Sequence, residues 1–233
     1  MMSFWCSLLL TAQSTNSHLS TSSIAATRYL SNGSAFQLRR GQAYYRNSQL
    51  LLNQVDAGIT DNWSIGTGVI PAFIFSSPTP VWVSSKVSTT LLSDNIRVAA
   101  SGAIGTSIGE VDSWSTLIQG LATFGHSDQH FTVNVGQANI DDLIQTTFIN
   151  FSGSTRLVKS YYLLTENYIL IDEEQPTVMA SLGGRWIGQK IIFDIGVFGE
   201  LDEGRLGVLP WVNLTFPFNL PKNLKISTNN TDE

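Results

Sequence analysis

Charge is what this chain has least of. Asp, Glu, Lys and Arg make up 13% of its 233 residues, about half the share usual in soluble domains. A single cysteine, Cys6, excludes an internal disulfide and a cysteine-based metal site within one chain. Three histidines, His18, His126 and His130, leave little material for a metal or a nucleophile–base pair. A net charge of −5 denies the chain the basic surface that a nucleic-acid partner needs. Hydrophobic residues reach 42%, yet no run approaches the ~18 apolar positions of a transmembrane helix. Few charges without a long apolar run suit strands that show only one face to lipid.

What the chain does contain is a recurring phrase. Asp61, Asp94 and Asp128 stand 33 and 34 residues apart, and each opens a polar turn that runs into a strand. Thr60-Asp61-Asn62 leads into Trp63-Ser64-Ile65, Ser93-Asp94-Asn95 into Ile96-Arg97-Val98, and Ser127-Asp128-Gln129-His130 into Phe131-Thr132-Val133. Looser copies fall at Lys159-Ser160, at Gly188-Gln189 and at a last strand ending near Phe218. A period of about 30 residues holds two strands of roughly ten residues, a tight turn and a longer loop. That is the pattern of an up-and-down β-barrel.

Within the strands, residue character alternates with a period of two. Across 190–201, Ile191, Phe193, Ile195 and Val197 share one face and Asp194, Gly196, Phe198 and Glu200 the other. Val178, Ala180, Leu182 and Trp186 oppose Thr177, Ser181, Gly183 and Arg185, and Ile96, Val98, Ala100 and Ile104 oppose Arg97, Ser101 and Gly105. In the final strand Val208, Val212, Leu214 and Phe216 oppose Trp211, Asn213 and Thr215, with Pro210 outward at a bulge or an interrupted ladder bond. A soluble sandwich or lipocalin alternates in the same way with the faces exchanged. Strand length decides: about ten to thirteen residues exceeds the five or six of soluble sheets and matches a tilted crossing of the bilayer. The apolar set is therefore assigned to lipid and the mixed set to the lumen.

Counting from the turns places one strand near 48–59 and five pairs after it, and closure needs one more strand between 28 and 45. The expected fold is all-β, a transmembrane antiparallel barrel of about 12 strands, with ten or fourteen as alternatives. Residues 1–12 read as a signal peptide without its usual basic start, 13–27 as a polar lead-in, mobile about Thr15 to Ser23, 28–218 as the barrel and 219–233 as a polar tail. Tight turns alternate with longer loops, and outer-membrane barrels keep short turns in the periplasm and long loops outside. Trp63, Phe131, Tyr161, Tyr162, Trp186 and Phe216 gather beside the tight turns, and Phe73, Phe75, Trp114, Phe148 and Tyr168 near the longer loops, as two interfacial belts would.

Three stretches carry a resemblance: Ala43-Tyr44-Tyr45, the run Gly58-Ile59-Thr60-Asp61-Asn62-Trp63-Ser64-Ile65-Gly66, and Leu164-Thr165-Glu166-Asn167-Tyr168. Over about Tyr29 to Phe218 the chain resembles small, porin-like bacterial outer-membrane β-barrel proteins. The resemblance implies export and folding into the outer membrane of a Gram-negative cell, among lipid and lipopolysaccharide, and brings no catalytic residue. The tail beyond the last aromatic strand departs from the pattern, since such barrels usually end there.

Candidate chemistry sits in two places. Glu110, Asp112, Asp141, Asp142, Asp172, Glu173, Glu174, Asp202 and Glu203 lie in the longer loops, nine of the 18 acidic residues. They form an expected acidic extracellular mouth, which attracts cations. The alternative is that surface loops are charged simply because they are solvated. Asp141-Asp142 lacks EF-hand spacing, so no metal or cofactor is expected. The expected lumen-lining charges are Asp56, Lys86, Arg97, Arg156, Arg185, Asp194 and Glu200. They either set the selectivity of a pore or neutralise one another and plug a narrow barrel. His126-Ser127 places its two side chains on opposite faces, so the expectation is a passive small-solute channel and not an enzyme. The alternative is a structural or binding barrel with a plugged lumen, joined to other envelope proteins.

Overall fold

The computed structural model describes residues 21–71, 78–91, 95–109, 114–140, 144–171, 176–202 and 205–221. After a short helix α1 (Thr21–Ala25) come β1 (Gln42–Ser48), β2 (Leu52–Gly58), β3 (Trp63–Val69), β4 (Thr79–Leu91), β5 (Ile96–Ile108) and β6 (Trp114–His126). The chain continues as β7 (Gln129–Ile140), β8 (Ile144–Val158), β9 (Tyr161–Ile171), β10 (Thr177–Ile187), β11 (Ile192–Asp202) and β12 (Arg205–Asn219). Each strand pairs antiparallel with its sequence neighbour, and β1 closes on β12 through Gln42↔Asn219 to Ser48↔Asn213. The barrel has the twelve strands expected. Closure comes from Gln42–Ser48, and residues 28–41 before it join no strand.

The two-residue alternation dictates the faces. Val83, Ile104, Ile118, Leu182, Ile195 and Val208 point outward and are exposed, while Asn134, Asn150, Ser152, Asn213 and Thr215 point inward and are buried. An apolar outside around a polar inside inverts the soluble-barrel arrangement and suits a lipid surround. Tyr162, Phe148 and Tyr168 depart from their expected belts. Tyr162 and Phe148 are buried on the inner face, and the Tyr168 hydroxyl donates to Glu166 inside the lumen (2.6 Å). Their outward neighbours keep the belt, with Tyr161, Trp63, Phe131, Trp186 and Phe216 exposed by the tight turns and Trp114 at the other end.

Pro210 faces outward opposite Val197 in an unbroken β11–β12 register, so there is no bulge there. Its carbonyl accepts from Gln49 Nε2 (2.6 Å), on the side where β1 has already ended. In an antiparallel strand a residue's N–H and C=O point the same way, so the donor Pro210 lacks has no strand to meet. Gln49 substitutes for the missing strand: its backbone N–H donates to Val212 O (2.9 Å) and its side-chain oxygen accepts from Val212 N (3.1 Å). The one register irregularity in the described ladders lies between Arg156 and Val158 on β8.

Candidate functional site: the lumen and its inward finger

Residues 21–41 enter the barrel from the tight-turn end, turn at Ser31-Asn32, and return to β1. The two limbs bond to each other through Tyr29 N–H to Asn32 O (2.8 Å) and Ser34 N–H to Thr27 O (3.0 Å). Both ends of this finger lie at the tight turns. Ile24 and Ala25 pack with Leu38, Tyr44 and Ile192, and the Arg40 N–H donates to Asp61 Oδ1 (3.0 Å). Gly41, at φ 81°, adopts the left-handed conformation that turns the finger's base into β1.

Wall side chains hold the finger mainly by its backbone. Arg185 pairs with Asp194 through Nε to Oδ1 (2.6 Å) and Nη2 to Oδ2 (3.0 Å). The same guanidinium donates to the carbonyls of Ala25 (2.5 Å), Arg28 (2.9 Å) and Tyr29 (3.0 Å). Glu166 receives the tip: its carboxylate accepts from the backbone N–H of Ser31 (3.0 Å) and of Asn32 (3.1 Å), and from the Ser31 hydroxyl. Asn213 Nδ2 donates to Leu30 O (2.7 Å), and Trp211 Nε1 donates to the same oxygen (2.9 Å). On the other side Lys86 Nζ donates to Ser34 O (3.1 Å) and Phe36 O (2.7 Å), and Ser88 to Ala35 O. Leu30 fits because Gly183 and Gly196 face it; a Cβ on either would come within about 3 Å of its methyls.

The finger divides the lumen. Beside β7 to β12 it fills the space and engages Glu166, Arg185 and Asp194. Along β1 to β6 it leaves a cavity of about 220 Å³ whose lining includes Arg28, Arg46, Lys86, Asp56, Gln119 and Tyr44. Arg28 is buried, with its guanidinium 4.4 Å from the Tyr44 ring centre. Burial pushes its pKa down to about 10, which leaves it charged at neutral pH. Arg28 Nε and Nη1, Arg46 Nε and Asp56 Oδ2 are buried without a hydrogen-bond partner among the described residues. Three cations against one carboxylate give this cavity a positive interior. A second space, lined by Arg39, Arg97, Phe36, Gln37 and His126, opens at the tight-turn end. Gln37 reaches from this space to the lining of the cavity, its Nε2 donating to Lys86 O (2.8 Å) and its Oε1 accepting from Ser64 Oγ (3.2 Å).

Of the expected lumen residues, Asp56 and Lys86 line the cavity, and Arg185 and Asp194 form the buried pair behind the finger. Arg97 lines the tight-end vestibule, its Nη1 donating to Thr90 Oγ1 (2.9 Å). Glu200 is half-buried near the loop end of β11, opposite Met179 and Gly207. Arg156 shares the inner side with Tyr162, at the end of its strand. It lies at the tight-turn rim, where its guanidinium, partly exposed, pairs with Asp128 (2.7 Å) and donates to Tyr162 OH (2.7 Å). Of the acidic mouth, Glu110, Asp112, Asp141, Asp142, Asp172, Glu173, Glu174 and Glu203 lie outside the described residues, as does the Asp202 side chain. Phe73, Phe75 and Asp94 also lie outside them.

Sequence reasoning missed Arg28, Arg46 and Glu166. Arg46 and Glu166 were open to the same alternation, each two residues from an inward tyrosine, Tyr44 and Tyr168. Arg28 carried no signal, because a finger without periodicity does not declare which wall it meets.

No protein-family model matches the sequence, and no curated protein resembles it. Solved structures do share the fold. The chain superimposes on the KdgM porin with a TM-score of 0.57 at 5% identity, covering 77% of this chain and 99% of that one. A structure of KdgM in complex with disordered oligogalacturonate gives the same figures. The NanC porin aligns at a TM-score of 0.47 and 7% identity, over 77% of this chain and 98% of NanC. LpxR from Salmonella typhimurium aligns at 0.43 and 8%, over 77% and 100%. What the chain shares with KdgM is the fold, a closed antiparallel barrel.

Proposed function

We propose that the protein resides in the outer membrane and passes small solutes passively along the β1–β6 side of its lumen, favouring anions at the narrowest point. The observation that carries this reading is the off-centre cavity, where Arg28, Arg46 and Lys86 face Asp56 with guanidinium nitrogens left unbonded. Gln37, which lines the tight-end space and bonds Ser64 and the Lys86 carbonyl of the cavity lining, stands at the junction of the two spaces, so passage requires that side chain to move. KdgM, solved in complex with oligogalacturonate, offers a ligand of the matching charge sign.

The nine loop carboxylates act as an acidic mouth in series with this interior. Exposed charges are screened beyond about 10 Å at 0.1 M salt, and buried ones much less. Anion preference should therefore strengthen as salt rises and the mouth's opposing field fades. Reversal potentials of the purified protein in planar bilayers test this at low and high ionic strength. Arg46→Gln with Lys86→Gln should weaken the preference. Cation preference at 1 M salt rejects the reading. The dense bonding of the finger favours one alternative, a plugged structural barrel bound to lipopolysaccharide or envelope proteins. Absence of conductance from folded protein supports that alternative.

A further inference from the structure

We propose that residues 21–41 are a removable plug: a hairpin that closes the larger half of the lumen at rest and withdraws through the tight-turn end to open a wide passage. This rests on the channel reading above and adds its regulation. Three observations carry it. The finger's two ends lie at the same end of the barrel, beside Ile192 and Asp61, so it can leave without threading the chain. Its grip is part apolar, with Ile24, Leu30, Ala35 and Leu38 packed on the wall, and part polar. Arg185, Glu166, Lys86, Asn213 and Trp211 bind finger backbone groups, and water can take over each of those bonds.

The third observation is the wall it covers. Behind the finger stand Thr123, Thr132, Asn134, Asn150, Ser152 and Thr215, all fully buried. Arg185 and Asp194 remain paired with each other without the finger. Hydroxyls, amides and a self-paired ion couple line water-filled barrels. A wall facing a permanent filling could be apolar at lower cost, since buried polar groups must each find a partner. Once vacated, these polar groups would line a passage, beside the apolar Leu121, Leu164 and Phe198 that the finger also covers.

The test uses the full chain in planar bilayers, in a Cys6→Ser background with Ala35→Cys on the finger and Ser88→Cys on β4. Reduced protein should show the narrow level plus voltage-driven excursions to a several-fold larger conductance. Oxidation should abolish the excursions and keep the narrow level, and reduction should restore them. Excursions persisting through a verified disulfide overturn the proposal. Should the disulfide not form, Asn32→Cys in the same background decides. Labelling by a bulky maleimide from the tight-turn side supports withdrawal, and complete protection under the same voltage means a fixed plug. A narrow level that is missing or cation-preferring defeats the channel reading instead, and the labelling result stands apart from it.

Discussion

At the residue scale, Arg185 has the most partners to lose. Its fully buried guanidinium serves Asp194 and three finger carbonyls. Arg185→Met leaves Asp194 buried and uncompensated, which should cost about 3–5 kcal/mol. The double change Arg185→Met with Asp194→Leu should cost less than the single one. Chemical unfolding in detergent measures both, with Asp194→Leu alone closing the cycle; a double loss equal to the sum of the two single losses would mean the pair does not couple. Pro210→Ala should change stability by no more than about 0.5 kcal/mol, because the absent N–H faces no strand. Alternation made Arg185 and Asp194 legible as inward residues. Tyr162, Phe148 and Tyr168 were misplaced because closeness to a strand end says nothing about face: Tyr161 and Tyr162 are neighbours pointing to opposite sides.

At the element scale, β4 to β12 were readable because each runs long enough for a period of two to show, from 11 to 15 residues. β1 to β3 have 7 each, and their hairpin at Gln49-Leu50 carries no turn signature, so closure was placed too diffusely. The finger was read as lead-in and irregular strand. Its partners include Lys86, 50 residues from Phe36, and Asn213, 183 residues from Leu30, and such pairing has no local trace. Two substitutions probe these elements. Ile195→Arg places a cation on the outer face of β11 and should cost about 2–4 kcal/mol at mid-bilayer, read from refolding equilibria in vesicles. Gly183→Ala crowds the Ile195 carbonyl across the ladder (2.9 Å) and Leu30, with the added carbon about 3.1 Å from its methyl. It should loosen the finger, seen as faster thiol labelling of Asn32→Cys while the heat-dependent gel shift of the folded barrel persists.

At the scale of the whole molecule, connection length alone does not orient the barrel, since β7–β8 and β11–β12 are joined by three and two residues, as short as the turns at the finger's end. The expected orientation puts the finger's base on the periplasmic side. Protease added to intact cells should cut the loops around Asp141 and Glu173 and spare the Asp128 turn. Cutting confined to the turns would reverse the orientation. The wall is uneven as well. Seven residues at 3.3 Å each, tilted by about 40°, rise roughly 18 Å, short of the roughly 25 Å apolar band of such barrels. β12 climbs past the end of β1, from Val212 to Arg205.

The low side ends in a turn that would be odd in water. Gln49 and Leu50 adopt φ of 55° and 62°, a left-handed conformation a branched side chain reaches only at some cost. Leu50 and Leu51 then stand 77% and 46% exposed. On a wall this short, the turn is expected to stop beneath the headgroups, with its two leucines against acyl chains. Lipids on that flank would then tilt or shorten to reach it, and the barrel would pinch one leaflet on one side only. A spin label at Leu50 should sense oxygen as hydrocarbon-embedded sites do. The molecule then carries its own thin spot in the membrane, a direction along which neighbouring lipids and proteins are not equivalent.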